Sequence, residues 1–99
     1  MSKIDILVCY DVNTVHEDGK RRLRKVAKAC EAHGQRVQWS IFECRLTPAT
    51  YEKLLEKIYK VMNSDVDSLR VYFMQGNRDN FCHVYGRDSW VDFDAPMVV

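Results

Sequence analysis

The carboxylate of Asp11 is the first group in this chain whose position suggests chemistry. It directly follows residues 4–10 (IDILVCY), an apolar run that predicts a buried β-strand. An acid at the end of a strand lies at the rim of a sheet, where it can bind a divalent cation or cap the following loop. Capping is the commoner role of such an Asp, so both alternatives stay open. As a ligand of Mg²⁺, Asp11 would share the ion with waters and a substrate phosphate.

A second copy of the chain would strengthen the metal alternative, because one carboxylate is a small ligand set. A two-fold dimer could bring two copies of Asp11 to one seam. Carboxylates held close repel each other, and a divalent cation between them removes that penalty.

A dense basic segment follows within the predicted first helix, residues 19–33. Between residues 20 and 30 the chain carries six cations and no acid: Lys20, Arg21, Arg22, Arg24, Lys25 and Lys28. Lys20, Arg24 and Lys28 recur every four residues, a spacing at which like charges destabilise a helix slightly and a polyanion would relieve the strain. A solvated outer face is the ordinary alternative. The absence of interleaved acids favours phosphate binding.

Residues 36–46 (RVQWSIFECRL) alternate as in a strand and form the third candidate group. They predict either one long bent strand or two short strands joined at a bulge near Ser40. Four side chains could contact a phosphate or stack on a base, although an ordinary half-exposed strand explains the same spacing: Arg36, Gln38, Ser40 and Phe42.

Composition limits the class of protein. Ninety-nine residues, 46% of them hydrophobic, predict one globular domain over residues 1–99, and a net charge of +1 favours no partner. The four cysteines form no C-x-x-C pair, which predicts free thiols in a reducing cytosol and argues against structural zinc. With neither a signal peptide nor an apolar run near the roughly 18 residues of a membrane span, we expect a soluble, cytoplasmic protein without a membrane partner.

The remaining elements complete the predicted fold. Gly34 is expected to cap the first helix, and Thr47 with Pro48 to begin a second helix that ends near Asn63. Strands are expected at residues 69–74 and 81–85, and an edge strand within residues 90–99. The order predicts an α+β fold, a ferredoxin-like βαββαβ sandwich with an extra C-terminal edge strand, provided that residues 36–46 supply two strands.

Three stretches together resemble the CRISPR-associated Cas2 family. They are residues 7–12 (LVCYDV), residues 20–28 (KRRLRKVAK) and residues 34–43 (GQRVQWSIFE), which Leu46 follows. The resemblance covers about the first half of the chain, and the run RVQ-x-S-[VI]-F-E after a glycine is its most specific part. It implies a ferredoxin-like fold and a homodimer.

The resemblance also implies a role in acquiring new spacers, where the dimer bridges subunits of the Cas1 integrase and contacts double-stranded DNA. Members are also described as magnesium-dependent endonucleases of RNA or DNA, so single-stranded RNA is a further implied partner. By position, Asp11 matches the metal-binding and catalytic Asp. Arg22, Arg24 and Arg36 match arginines that face nucleic acid, and Ser40 and Phe42 match positions near the site. The tail, residues 87–99, is implied to contact the other subunit or a partner.

We therefore predict a CRISPR adaptation protein that works as a homodimer, with Mg²⁺-dependent nuclease activity as a second hypothesis. A non-catalytic regulator that binds a small molecule on the same fold is the alternative. The nucleic-acid-binding residues are predicted to be Lys20, Arg22, Arg24, Lys28 and Arg36.

Overall fold

A computed structural model describes residues 2–88 and 90–91. The elements are β1 (Ile4–Asp11), α1 (Glu17–Glu31), β2 (Gly34–Gln38), β3 (Ile41–Leu46), α2 (Pro48–Val61), β4 (Ser68–Met74) and α3 (Arg78–Phe81). The strands form one antiparallel sheet in the order β2-β3-β1-β4. This order and the βαββαβ succession are those of a ferredoxin-like sandwich, so the predicted fold class is confirmed.

Strand β1 lies in the middle of the sheet and separates its two faces. It pairs with β3 along one side and with β4 along the other, where Asp11 lies opposite Ser68. Ile6, Val8 and Tyr10 point toward the helices and are buried, whereas Asp11 belongs to the alternate set on the opposite face. The strand thus anchors the core with one face and presents polar groups on the other.

The two long helices cover one face of the sheet. From α1, Val26 and Cys30 enter the core, and from α2, Leu54 and Ile58 do so. Burying each large side chain contributes about 1.5–3 kcal/mol. Thr47 caps α2 as predicted, because its hydroxyl accepts a hydrogen bond from a backbone N–H in the first turn. Within the described ranges, no helix has the length and apolar character needed to cross a bilayer.

Residues 36–46 belong to two strands, which resolves the alternatives left by the sequence. The chain turns at Trp39 and Ser40 without a glycine or proline. The irregularity lies within β2, between Arg36 and Gln38, and not near Ser40. Arg36, before this irregularity, lies opposite Phe42, on the side of the sheet that the helices cover.

Gly34 does not cap α1, and that prediction is wrong. The helix ends at Glu31, Ala32 keeps a right-handed conformation with φ −67°, and Gly34 is the first residue of β2. A Cβ atom at Gly34 would lie 2.4 Å from the Sγ atom of Cys44 and 2.4 Å from the carbonyl oxygen of Glu43. Glycine is needed here because two strands approach closely.

The strand predicted over residues 81–85 is also wrong. Gly76, at φ +87°, turns the chain after β4, and the short helix α3 follows. Residues 82–85 have no regular structure. The competing interaction is tertiary: Arg78 in α3 donates two hydrogen bonds to the carboxylate of Glu43, at 2.9 and 3.0 Å, and holds this segment against the sheet.

The described part of the tail contacts its own chain. The guanidinium of Arg78 lies 4.1 Å from the ring centroid of Trp90, and the side-chain amide of Gln35 bonds both the N–H and the carbonyl group of Val91. Neither Trp90 nor Val91 is in a strand. The rest of the predicted edge strand, residues 92–99, lies outside the described residues.

The four cysteines are free thiols, as predicted. Burial raises the pKa of Cys30 to about 11 and that of Cys44 to about 12. Both thiols therefore stay protonated at neutral pH and act as small core side chains.

Candidate nucleic-acid interface

Asp11 is the last residue of β1, and its carboxylate is exposed. This carboxylate makes no hydrogen bond or ion pair with another residue of the described chain. The loop-capping alternative is wrong, because the amide two residues on, the N–H of Asn13, donates to Asp67 at 2.9 Å. The carbonyl oxygen of Ser40 accepts a hydrogen bond from the N–H of Tyr10 at 3.1 Å, so the backbone of Ser40 lies beside this strand end.

The donor set around Asp11 limits what metal site one chain can make. Across residues 2–88 and 90–91 there is no group of three or more His, Cys, Asp or Glu residues arranged to bind an ion. Mg²⁺ is commonly held by one or two carboxylates, with waters and a phosphate completing its octahedron. The carboxylate of Asp11 therefore fits an ion shared with a phosphate or with a second subunit, and does not fit a site built by one chain alone.

The basic residues of α1 divide into two groups. Near the start of the helix, Lys20 pairs with Glu17 at 3.3 Å and Arg21 with Asp18 at 4.0 Å, so acids in the first turn offset these charges. Farther along, Arg24, Lys25 and Lys28 are exposed and have no ion pair within the part of the chain that is described. The uncompensated positive charge is thus concentrated in the second half of the helix.

Arg22 has a different role from the predicted one. Its Nε atom donates to the Oδ2 atom of Asp67 at 2.8 Å, and its side chain is only 19% exposed. A guanidinium committed to a buried carboxylate is poorly available to a phosphate. Arg22 therefore belongs to the structure beneath the interface.

Asp67 is a residue whose importance the sequence did not reveal. Its side chain is fully buried and accepts hydrogen bonds from Arg22 and from the backbone N–H groups of Asn13 and Asn63. Burial by itself would raise the pKa of this carboxyl, but the hydrogen bonds outweigh it and lower the pKa. Asp67 ties helix α1 to the loops that follow β1 and α2, directly beside the strand end that carries Asp11.

The exposed aromatic residue nearest the predicted strand group is Trp39, and not Phe42. Phe42, which we expected near the site as a possible stacking group, is fully buried and cannot stack on a base. Trp39 at the β2–β3 turn is 81% exposed. The guanidinium of Arg36 lies 5.2 Å from the centroid of Phe42 and 5.9 Å from that of Trp39. Phe42 pairs with Val8 of β1 and shares its buried face, whereas Trp39 lies in the turn between β2 and β3.

The face of the sheet opposite the helices carries a mixed surface around Asp11. Leu7 lies opposite Tyr72 and Cys9 opposite Arg70 in the β1–β4 pairing. Tyr72 is exposed, and its hydroxyl accepts a hydrogen bond from Arg70 at 3.3 Å. This surface, which we call the open face, combines apolar and charged groups.

Comparison with known proteins identifies the family. The family described as "CRISPR associated protein Cas2" matches residues 4–80. "CRISPR-associated endoribonuclease Cas2" of Chlorobaculum tepidum is 51% identical over 94 residues, which is 95% of this chain and 98% of that protein. "CRISPR-associated endoribonuclease Cas2 1" of Moorella thermoacetica is 44% identical over the same shares of the two chains. The crystal structure of Streptococcus pyogenes Cas2 superposes with a TM-score of 0.76 at 40% identity, covering 83% of this chain and 99% of that chain. With the fold, the strand-end Asp and the basic helix all in place, the chain belongs to the Cas2 family.

Proposed function

We propose that this protein binds nucleic acid as a homodimer and serves CRISPR adaptation as the bridge between subunits of the Cas1 integrase. The observation that carries the proposal is the uncompensated charge of Arg24, Lys25 and Lys28 on one exposed half of α1. Such charges release counterions from a phosphate backbone, which makes binding strong at low salt and independent of sequence. Double-stranded DNA is the expected ligand.

The salt dependence of DNA binding tests this proposal. In the double variant Arg24→Ala/Lys28→Ala, the slope of log K against log salt should fall by about 2, because each phosphate contact contributes about 0.9. The control is Lys53→Ala/Lys57→Ala, which removes the same charge at the same spacing from exposed positions of α2. Equal effects of the two double variants would show that net charge, and not this face, governs binding.

The open face supports the homodimer, because the long helices cover the other side of the sheet. A second copy there would bury Leu7 and Tyr72. We expect Tyr72→Glu to shift the protein toward monomer in sedimentation equilibrium. Tyr59→Glu, an equally drastic change at an exposed position of α2, should leave the mass unchanged. A Tyr72→Glu variant that sediments as the wild type would contradict dimerisation through this face.

A magnesium-dependent endonuclease is the second candidate function. It is supported by the exposed carboxylate of Asp11, which no other described residue engages, and by the names of the relatives. Asp11 would hold Mg²⁺ against a scissile phosphate of RNA or DNA. When bound, the ion supplies charge neutralisation and a water of lowered pKa. The protein contributes the carboxylate, its fixed position at the end of a strand, and cations that retain the substrate.

Cleavage of labelled RNA and of DNA tests the second candidate. Asp11→Asn should abolish cleavage and keep DNA affinity, since the variant loses the metal ligand but no cation. Asp65→Asn, at an exposed loop position, is the matched control. EDTA should suppress wild-type cleavage and Mg²⁺ should restore it. Cleavage that persists in Asp11→Asn would eliminate this residue as the catalytic group.

A further inference from the structure

A cavity of about 400 Å³ opens between α1 and the β2–β3 turn. This volume lies within the range of pockets that bind small molecules, about 300–1,000 Å³. Leu23 and Ala27 of α1 give it an apolar side, and the exposed indole of Trp39 faces the same space from the turn.

The charged groups around the cavity favour an anion. Arg24 and Lys28 line it from α1, and Arg36 lines it from β2. The only acid along its wall, within the described residues, is Glu31, whose carboxylate lies 3.8 Å from the guanidinium of Arg36. With three cations and one carboxylate along its wall, the cavity carries a net positive charge beside the indole of Trp39.

A buried hydroxyl at the cavity has no partner. Tyr10 is only 4% exposed and lines the space, yet its hydroxyl group forms no hydrogen bond to any described residue. Burial raises the pKa of Tyr10, and the nearby guanidinium of Arg36 offsets this in part. The hydroxyl oxygen has no accessible surface, so recognition of a ligand falls to Trp39 and to the cations of the cavity wall.

We infer that this cavity binds one unpaired nucleotide, with its base against Trp39 and its phosphate between Arg24 and Lys28. The combination of a flat aromatic surface and cations matches a nucleotide better than a bare anion or an apolar molecule. Every base has a π-face, so stacking on an indole tolerates any sequence. A base inside a duplex is covered by its neighbours, and the ligand is therefore a nucleotide in a single-stranded extension. This inference rests on the proposed function, since the basic face of α1 would hold the adjoining duplex.

The fluorescence of Trp39 reports directly on the cavity. The probe protein carries Trp90→Phe, which leaves Trp39 as its one tryptophan. It is titrated with a blunt DNA duplex, with the same duplex bearing a short single-stranded extension, and with a free nucleoside monophosphate. We expect the extension to quench Trp39 and to tighten binding on the order of tenfold relative to the blunt duplex.

Two substitutions assign the effect to the indole of Trp39. Trp39→Ala should abolish the gain from the extension and leave blunt-duplex affinity unchanged, whereas Trp39→Phe should retain most of the gain. Because Trp39 is exposed, neither change threatens folding.

The three ligands separate the failure of this inference from the failure of the proposed function. Equal affinity and equal quenching for blunt and extended duplexes, together with indifference to the mononucleotide, would overturn the inference while DNA binding stands. If the mononucleotide quenched Trp39 but the protein bound no duplex, nucleotide binding in the cavity would be supported. Duplex binding by the basic residues of α1 would be refuted. If the mononucleotide saturated the quenching of Trp39 and the extension gave no gain in duplex affinity, the cavity would be a nucleotide site. Its ligand would then be the free nucleotide and not a single-stranded extension.

Discussion

Removing the carboxylate of Asp67 should destabilise this protein far more than removing an exposed acid. The side chain is fully buried and receives the N–H groups of Asn13 and Asn63, each at 2.9 Å, and the guanidinium of Arg22 at 2.8 and 3.3 Å. In Asp67→Ala all these donors lose their acceptor at once. The guanidinium of Arg22 would also be left mostly buried without its counter-charge.

The expected loss follows from these contacts. Breaking a buried ion pair by removing one partner costs about 3–5 kcal/mol. Arg22 is 19% exposed and can recover some hydration, which places the expected loss for Asp67→Ala near the low end, about 3 kcal/mol. A loss of this size lowers the melting temperature of a domain of this length by about 15 °C.

Urea and thermal unfolding followed by circular dichroism measure the loss. Asp67→Asn should fall between wild type and Asp67→Ala, because the amide keeps one acceptor oxygen but no charge. Asp65→Ala, two residues away and exposed, is the control and should stay near wild type. If Asp67→Ala lost no more stability than Asp65→Ala, the hydrogen bonds to Asp67 would have no energetic weight and the reasoning would be refuted.

The same carboxylate predicts a pH dependence of defined sign. Burial alone would raise its pKa, but the bonds from Arg22, Asn63 and Asn13 lower the folded-state pKa below its usual value. Its stabilisation is therefore complete above the unfolded pKa of about 4 and is lost as pH falls through the lower folded value. The stability difference between wild type and Asp67→Asn should be constant near neutral pH and shrink in acid. A difference independent of pH down to acid unfolding would contradict the assigned shift.

Three further changes test other parts of the structure. Gly34→Ala should lose about 1–3 kcal/mol in urea unfolding, because the new methyl group would overlap Cys44 and the backbone of Glu43; unchanged stability would show that β2 can move aside. Arg78→Ala should alter the emission of Trp90 and lower the urea midpoint, since it removes the paired bonds to Glu43 and the cation above the ring; unaltered emission would mean that the contact does not persist in solution. The thiol of Cys44, whose pKa is about 12, should react with Ellman's reagent at neutral pH only after urea unfolds the protein, and rapid labelling of the native protein would contradict its burial.

The framework of this fold was accessible from the sequence because periodicity and capping report local preferences. The apolar run of residues 4–10 predicts strand β1, and Thr47 with Pro48 predicts the start of α2. The structure confirms both predictions. The wrong predictions concern segments whose structure depends on contacts with residues distant in the sequence. Gly34 was assigned to a helix end, whereas the strand approach at Cys44 explains it. Residues 81–85 alternate as in a strand, but the ion pair between Arg78 and Glu43 favours a short helix before them.

The candidate site likewise contains residues whose exposure the local sequence predicts and residues whose role depends on distant contacts. The side chains of Asp11, Arg24 and Lys28 are exposed, as the local sequence pattern predicts. The role of Arg22 depends on Asp67, forty-five residues away in the chain, and nothing in the local sequence links the two. The burial of Phe42 depends on its pairing with Val8 of β1, and the exposure of Trp39 on its place in the turn, neither of which the alternation pattern encodes.

The central place of β1 has a consequence for how accurately Asp11 is held. With hydrogen-bonded neighbours on both edges and its inward side chains in the core, this strand can open only when the whole sheet opens. Amide hydrogens of Ile6 and Val8 should therefore exchange only through global unfolding, whereas those of residues 82–88 should exchange much sooner. A carboxylate at the end of so rigid a strand keeps its position whatever ligand approaches it.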